Sequence, residues 1–398
     1  MSRWAPILLA MAVTLPALLL RFGGIHVAPG SEALLFGIAI LGAAFLLTWA
    51  AEVAQLDVSQ GIALAALALI AVLPEYAVDL YFAWKAPHHH EYTAYATANM
   101  TGANRLLIGI AWPLIVALYW WRGNGRELLL PRSRSIELVF LTIATVYSFV
   151  IPIKGTISLL DMVVLLGCFA GYVWRIAQGE VEEPELLGPA AVLALLRPPA
   201  RRAAVALFFL FAATVIFGSA ERFAEALIHL GKQFGIDEFL LVQWLAPLAS
   251  EAPEVAIACI LTMRGNAQAG MGAMVSSKVN QWTLLVGTLP LVYSISAGAP
   301  RALHLDPRQV EEILLTAAQS LFAVGILANL RISLLEVAGL FVLFAAQLLY
   351  PDPYVRYGFC AVYFVLGLIT MSRRWRDLPL LFDEGLYGGG MKEEDRAL

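Results

Sequence analysis

Long apolar runs broken by short polar or Gly/Pro-rich stretches recur along almost the whole chain, and each run has the length of a membrane crossing. A bilayer core takes roughly 20 apolar residues of helix, so the pattern predicts about twelve transmembrane helices. They fall near 5–21, 31–54, 60–84, 92–121, 135–151, 156–178, 203–230, 237–263, 267–296, 310–329, 332–350 and 354–371. The first run, behind Arg3, is long for a secretory leader and no small-residue cleavage site follows it, so it is read as a retained span. The fold expected is an all-α polytopic membrane protein.

Composition agrees. Of 398 residues, 60% are hydrophobic and 14% charged, whereas soluble domains carry about 25% charged residues. An ordinary soluble enzyme is excluded. The net charge of −4 offers no basic face for nucleic acid. Cys168, Cys259 and Cys360 stand far apart in apolar stretches, which argues against a disulfide framework or a thiolate metal site. No pattern of a nucleotide-binding loop, haem ligand pair or catalytic triad appears, so neither enzyme chemistry nor a cofactor is expected. The partners expected are membrane lipid and inorganic cations.

Lys and Arg gather on the side that holds both termini, Arg122, Arg126, Arg132, Arg134, Arg197, Arg201, Arg202, Arg373, Arg374 and Arg376 among them. Positive residues stay inside, which predicts a multi-pass protein of the cell membrane with both termini cytoplasmic. Arg105, Arg222 and Lys278 are the basic residues left within spans, while Arg356 is counted to an outer loop. The longest break, 179–202, carries Glu180, Glu182, Glu183 and Glu185 and reads as a solvated cytoplasmic linker, with a regulatory cation sensor as the alternative. It separates an N-terminal extra helix (1–30) and a first half (31–178) from a second half (203–350), a C-terminal extra helix (351–376) and a cytoplasmic tail (377–398).

The two halves share an ordered series of features. The third span carries Leu73-Pro74-Glu75 and the eighth Ala252-Pro253-Glu254, each placed mid-helix. A second long helix then bears Leu106-Leu107-Ile108-Gly109 or Leu284-Leu285-Val286-Gly287, and Pro113 and Pro290 close the two patterns. An odd number of crossings separates the copies, so they run in opposite directions, as inverted-topology repeats with a midplane site do. Proline within a helix unpairs the carbonyl four residues back, here Ile70 and Ala249. A freed carbonyl beside a carboxylate makes a pair of hard oxygens suited to Ca²⁺ or Na⁺. An intramembrane carboxylate costs at least about 2.5 kcal/mol, so it marks a pathway.

Glu75 and Glu254 are therefore the leading cation ligands. Glu251 shares a helix face with Glu254 and can share its ion or a proton. Asp79, one turn after Glu75, reads equally as a vestibule ligand or a surface charge. Asn99, Asn104, Ser276, Ser277, Asn280 and Gln281 offer neutral oxygens, or bind helices to one another. Lys278 can occupy the place of a monovalent cation, pair with Glu251, or face a water-filled opening. Arg105 can act likewise or snorkel. Glu221, Arg222 and Glu225 read as a self-neutralising structural set. His88-His89-His90-Glu91 reads as a hydrated loop, because consecutive imidazoles do not easily converge on one zinc ion.

These residues carry a resemblance to the cation/Ca²⁺ antiporter superfamily, which includes sodium/calcium exchangers. That family has Gly-Thr-Ser-Leu-Pro-Glu on one helix of each repeat and an Asn-rich stretch on the next. This chain matches with Leu73-Pro74-Glu75, Pro253-Glu254, the Arg264-Gly265 turn and the run Asn99 to Asn104. It departs where Ala71-Val72 and Ser250-Glu251 replace the hydroxyl pair and where Lys278 follows Ser277. Ser277 and Gln281 match positions where the family uses side-chain oxygens, and Asn104 matches either of two family asparagines. The resemblance implies a secondary active antiporter exchanging Ca²⁺ for Na⁺ or H⁺ through a midplane carboxylate site. The alternatives are a proton/monovalent-cation antiporter without Ca²⁺ transport and a non-transporting membrane cation sensor.

Overall fold

The computed structural model describes residues 3–57, 72–178, 186, 188–350 and 352–388. In chain order the helices are α1 (Ala5–Ala12), α2 (Leu15–Phe22), α3 (Pro29–Ala54), α4 (Leu73–Lys85), α5 (Glu91–Leu106), α6 (Trp112–Trp121), α7 (Ser135–Ser148), α8 (Val150–Lys154) and α9 (Leu159–Ile176). The second half follows with α10 (Pro189–Ala194), α11 (Pro198–Phe234), α12 (Glu238–Met263), α13 (Ala267–Asn280), α14 (Val286–Ser296), α15 (Pro307–Leu327), α16 (Leu334–Leu349), α17 (Pro353–Arg373) and α18 (Leu378–Tyr387).

Among the described residues, nine helical stretches are long and apolar enough to cross a membrane. The chain is an all-α polytopic membrane protein. Three expected spans are not among the nine. For 60–84 only α4, 13 residues long, is described, and 58–71 lie outside the described residues. The span at 332–350 is α16, 16 residues, and 267–296 runs through α13 and α14. Length and apolarity therefore do not fix the count at twelve. The acidic residues of the linker (Glu180, Glu182, Glu183, Glu185) and the end of the tail, from 389, also lie outside the described residues.

Helix starts follow local chemistry. Reciprocal capping boxes open three helices: Ser158 with Asp161 at α9, Asp306 with Gln309 at α15 and Ser333 with Glu336 at α16. Each satisfies two donors that a helix start leaves bare. Proline opens α3, α11, α15 and α17 in the first turn, where its missing N–H costs nothing. Gly265 makes the turn between α12 and α13 at φ +102°, a backbone region closed to most side chains. Two short antiparallel pairings, Glu127–Leu129 with Arg331–Ser333 and Thr156–Ile157 with Leu303–His304, were not expected from the sequence. At two or three residues each, they are too short to show a period-2 pattern.

The chain divides into two compact units, and the divisions fall inside α5, at 179/180 and inside α12. The first comprises Met1–Ala103 and Glu180–Glu254, so it draws on both halves of the sequence. Its core is built on α3 and α11, with Phe36, Ile40, Leu47, Phe82, Phe223, Leu227 and Val242 buried together. At one end Arg201 forks onto Asp57, Nε to Oδ2 at 2.6 Å and Nη2 to Oδ1 at 2.8 Å, and Arg202 adds a third bond. This geometry holds the Asp57 carboxyl at about 2, below the usual carboxylate range. Toward the other end of α11, Glu221, Arg222 and Glu225 pair with neighbouring segments and not with one another. Arg21 binds Glu221, Arg222 binds Glu32, and Tyr81 and Tyr92 both donate to Glu225 at 2.5 Å.

The second unit comprises Asn104–Gly179 and Val255–Leu398. In it α15 packs along α17 and α9 along α14. Within 377–398, Leu378–Tyr387 form α18, which packs on α7. Arg132 binds Glu384, Arg175 donates to the Gly385 carbonyl, and a Cβ at Gly385 would meet Val139 at 2.6 Å.

Candidate functional site

In the first unit, Pro74 and Glu75 stand in the opening turn of α4, where the helix N-terminus favours negative charge. The Pro-Glu of the second copy is different: α12 runs on through Pro247 and Pro253 without ending. Glu75 is 1% exposed, and Asp79, one turn on, is fully buried. That settles Asp79 as an interior carboxylate and not a surface charge. Asn99 on α5 donates to Asp79 Oδ1 at 3.0 Å. The other oxygens of this pair, Asp79 Oδ2 and Asn99 Oδ1, are buried with no hydrogen-bond partner among the described residues. In a membrane interior an oxygen without a partner costs several kcal/mol (about 2–7 on transfer scales), so these two suit a hydrogen-bond donor or a cation.

Gln243 on α12 belongs to the same unit and escaped the sequence reading. It is fully buried and donates to Thr101 at 3.3 Å, while its Oε1 has no hydrogen-bond partner among the described residues. A lone glutamine in an apolar helical run is the signal that could have pointed to it. Close approach of α5 and α12 requires Gly102, because a Cβ there would lie 1.8 Å from the Gln243 carbonyl oxygen. Further along α12, Glu251 is buried and Glu254 half-buried. Among the described residues no three His, Cys, Asp or Glu side chains converge as a metal cage, so neutral oxygens must complete any cation shell.

The second unit holds the remaining candidates. Asn104 and Lys278 are both fully buried, and the Lys278 ammonium donates to Asn104 Oδ1 at 2.7 Å and to its main-chain carbonyl at 3.4 Å. The same nitrogen stands 4.5 Å from the centre of the Trp282 ring. Ser277 Oγ and Asn280 Oδ1 are buried with no hydrogen-bond partner among the described residues, and Gln281 is fully buried. Ser276 is engaged elsewhere: it donates to Glu137, accepts from Tyr172, and Glu137 is bound by Arg134.

Both repeats place a π turn immediately after these residues, Leu107–Ala111 following α5 and Gln281–Leu285 following α13. Such turns cluster at functional sites. Local periodicity carries no signal for them.

Arg105 does not snorkel. It is fully buried and pairs with Glu312 at 2.5 Å; Arg356 pairs with the other oxygen of Glu312 at 2.5 Å and with Glu311 at 2.6 Å. Arg356, counted to an outer loop on sequence, is thus an interior residue of the first turn of α17. The sequence reading missed Glu311 and Glu312 altogether.

Known proteins resemble the whole chain. The sequence profile described as "Sodium/calcium exchanger protein" matches residues 32–177 and 204–351. A solved protein described as the H⁺/Ca²⁺ exchanger CAX is 46% identical, at TM-score 0.94, over 97% of this chain and 98% of that one. Native YfkE shares the fold at TM-score 0.62 and 15% identity, over 91% and 99% of the two chains. The sodium-calcium exchanger NCX_Mj does so at TM-score 0.53 and 15% identity, over 81% and 99%. No curated protein matches the chain.

Proposed function

The chain belongs to the sodium/calcium exchanger protein family, and on that premise we propose that it exchanges Ca²⁺ for H⁺ at buried carboxylates. The observation that carries the reading is the Asp79–Asn99 pair, two buried oxygens without hydrogen-bond partners among the described residues, one turn from Glu75. Ca²⁺ seeks six to eight oxygens, mixed from carboxylates, amides and carbonyls. Glu75, Asp79, Asn99, Glu251 and Glu254 are the proposed cation ligands of the first unit. Asn104, Ser277, Asn280 and Gln281 are proposed as cation-facing oxygens of the second, with Lys278 and Arg105 as charges that tune them.

Coupling follows from elementary chemistry. A carboxylate must lose its proton to take Ca²⁺, so the two ions compete for the same oxygens and binding of one expels the other. A carrier that reorients only when one of them is bound then exchanges them. The proton is favoured over Na⁺ as counter-ion because the 46%-identical relative bears that description. In this reading the halves 31–178 and 203–350 are the inverted repeats, and both termini are cytoplasmic in the cell membrane. Lipid and inorganic cations are its partners.

The test is Ca²⁺ entry into liposomes bearing the purified protein, with pH, Na⁺ and K⁺ gradients imposed one at a time. A pH gradient should drive Ca²⁺ against its own gradient. Flux driven by Na⁺ alone would overturn the counter-ion; no Ca²⁺ movement under any gradient would overturn exchange itself.

A further inference from the structure

Lys278 closes the last turn of α13, one turn ahead of Trp282, and its burial calls for an explanation. A lysine within a membrane-spanning segment costs at least about 2.5 kcal/mol and persists where surrounding groups or function require it. Neutral oxygens and an aromatic ring are among the groups that stand against this ammonium. It meets the side-chain oxygen of Asn104 at 2.7 Å, the main-chain oxygen of the same residue at 3.4 Å and the face of the Trp282 ring at 4.5 Å. Amide oxygen, peptide oxygen and an aromatic face are the groups that receive a free monovalent cation. Ser277 Oγ and Asn280 Oδ1, on the same helix, are buried oxygens with no hydrogen-bond partner among the described residues. This stretch of the second unit is therefore rich in oxygen acceptors.

We propose that the Lys278 ammonium is a built-in monovalent cation: it permanently fills a subsite formed by Asn104 and Trp282 that would otherwise take Na⁺ or K⁺. Being tethered, it supplies the positive charge without being carried, and the exchange cycle runs without a free monovalent ion at this position. Trp282 is then a specificity-determining residue, since its ring face stands against the same cation 4.5 Å away. The inference rests on the exchange reading for its effect on flux, but the subsite itself does not.

The experiment pairs two measurements on wild type, Lys278→Ala and Lys278→Met. Melting temperature in detergent is recorded in NaCl, KCl and choline chloride of equal ionic strength, and Ca²⁺ flux is recorded in liposomes in the same salts. Wild type should melt at the same temperature in all three. Lys278→Ala should melt lower in choline and recover progressively as Na⁺ or K⁺ is added, because a ligand that binds only the folded state stabilises it by RT ln(1 + [L]/Kd), which keeps rising with ligand concentration. Its flux should be about tenfold higher with the restoring ion than with choline. Lys278→Met keeps the stem against Trp282 without the charge, and should show the same ion dependence in weaker form. Melting of both variants that is indifferent to the identity of the cation overturns the proposal. So does failure of both to fold in every salt, since the charge would then serve only to hold the structure. If wild type moves no Ca²⁺ under any gradient, exchange falls, while the melting series still decides the subsite.

Discussion

Glu312 holds two guanidinium groups at once, so neutralising it probes the buried charge network more sharply than any other change there. Its Oε2 meets Arg105 and its Oε1 meets Arg356, both at 2.5 Å, and Arg356 continues to Glu311 at 2.6 Å. All four side chains are buried, and their charges cancel. Glu312→Gln and Glu311→Gln each leave the four groups with one positive charge in excess, but Glu312→Gln takes a carboxylate from both guanidinium groups at once, and breaking a buried ion pair in this way costs about 3–5 kcal/mol. Glu311→Gln should cost less, about 1.5–3 kcal/mol, because it removes one ion pair and both guanidinium groups keep Glu312. Arg105→Met combined with Glu312→Gln restores neutrality and should be milder than the sum of its parts. The assay is thermal unfolding in detergent read by a thiol-reactive dye, since the three cysteines are wholly or partly buried in the folded chain. Because unfolding of such proteins is often irreversible, half-lives at one temperature are compared. The order expected, from longest-lived to shortest, is wild type, Glu311→Gln, then Glu312→Gln. Equal damage from the two single changes, or strict additivity in the double, would show that the four groups do not act as one network.

Three further outcomes are expected. Glu75→Gln and Glu254→Gln should each abolish Ca²⁺ flux in liposomes while elution and melting stay near wild type; full activity in both would remove them from the ligand set. Gly102→Ala should lose stability by about 1–3 kcal/mol or more through overpacking, since its methyl would lie 1.8 Å from the main-chain oxygen of Gln243, and a neutral result in a melting series would deny that close contact. Asp57, held at about 2 chiefly by its bond from Arg201, stabilises the fold above the usual carboxylate range. That contribution is lost as pH falls from about 4 toward 2, so Asp57→Asn should flatten this part of the pH–stability curve, and an unchanged slope would show that Asp57 contributes nothing to it.

The membrane fold was legible because its signal is long. Some twenty apolar residues, capped by Pro at a first turn or by a Ser/Asp box, cannot be read as much else, and the inverted order of Pro-Glu copies needs only a count of crossings. The carboxylates of α4 and α12 stand out as candidates for the opposite reason: a charge amid apolar residues is conspicuous and demands a purpose. Asp79 was ambiguous on sequence, because its place one turn after Glu75 says which face it shares but not what covers that face. Covering elements come from elsewhere in the chain, here Asn99 on α5.

The same limit explains the network around Arg105. Glu311 and Glu312 lie just inside the start of α15, and Arg356 just inside the start of α17. Charges within a turn or so of a span's end look like headgroup-region residues, and helical periodicity alone cannot contradict that reading. Arg105 could have. It lies mid-span, about 21 Å along its helix from Glu91 at 1.5 Å per residue, too far to reach water easily by snorkelling. A mid-span arginine requires a carboxylate partner, and acids near span ends were among the sources to consider. The useful rule runs from the deep charge outward: once one buried ion is certain, acids that seem peripheral become candidates for the interior, and the census that assigns them to a loop has to be reopened.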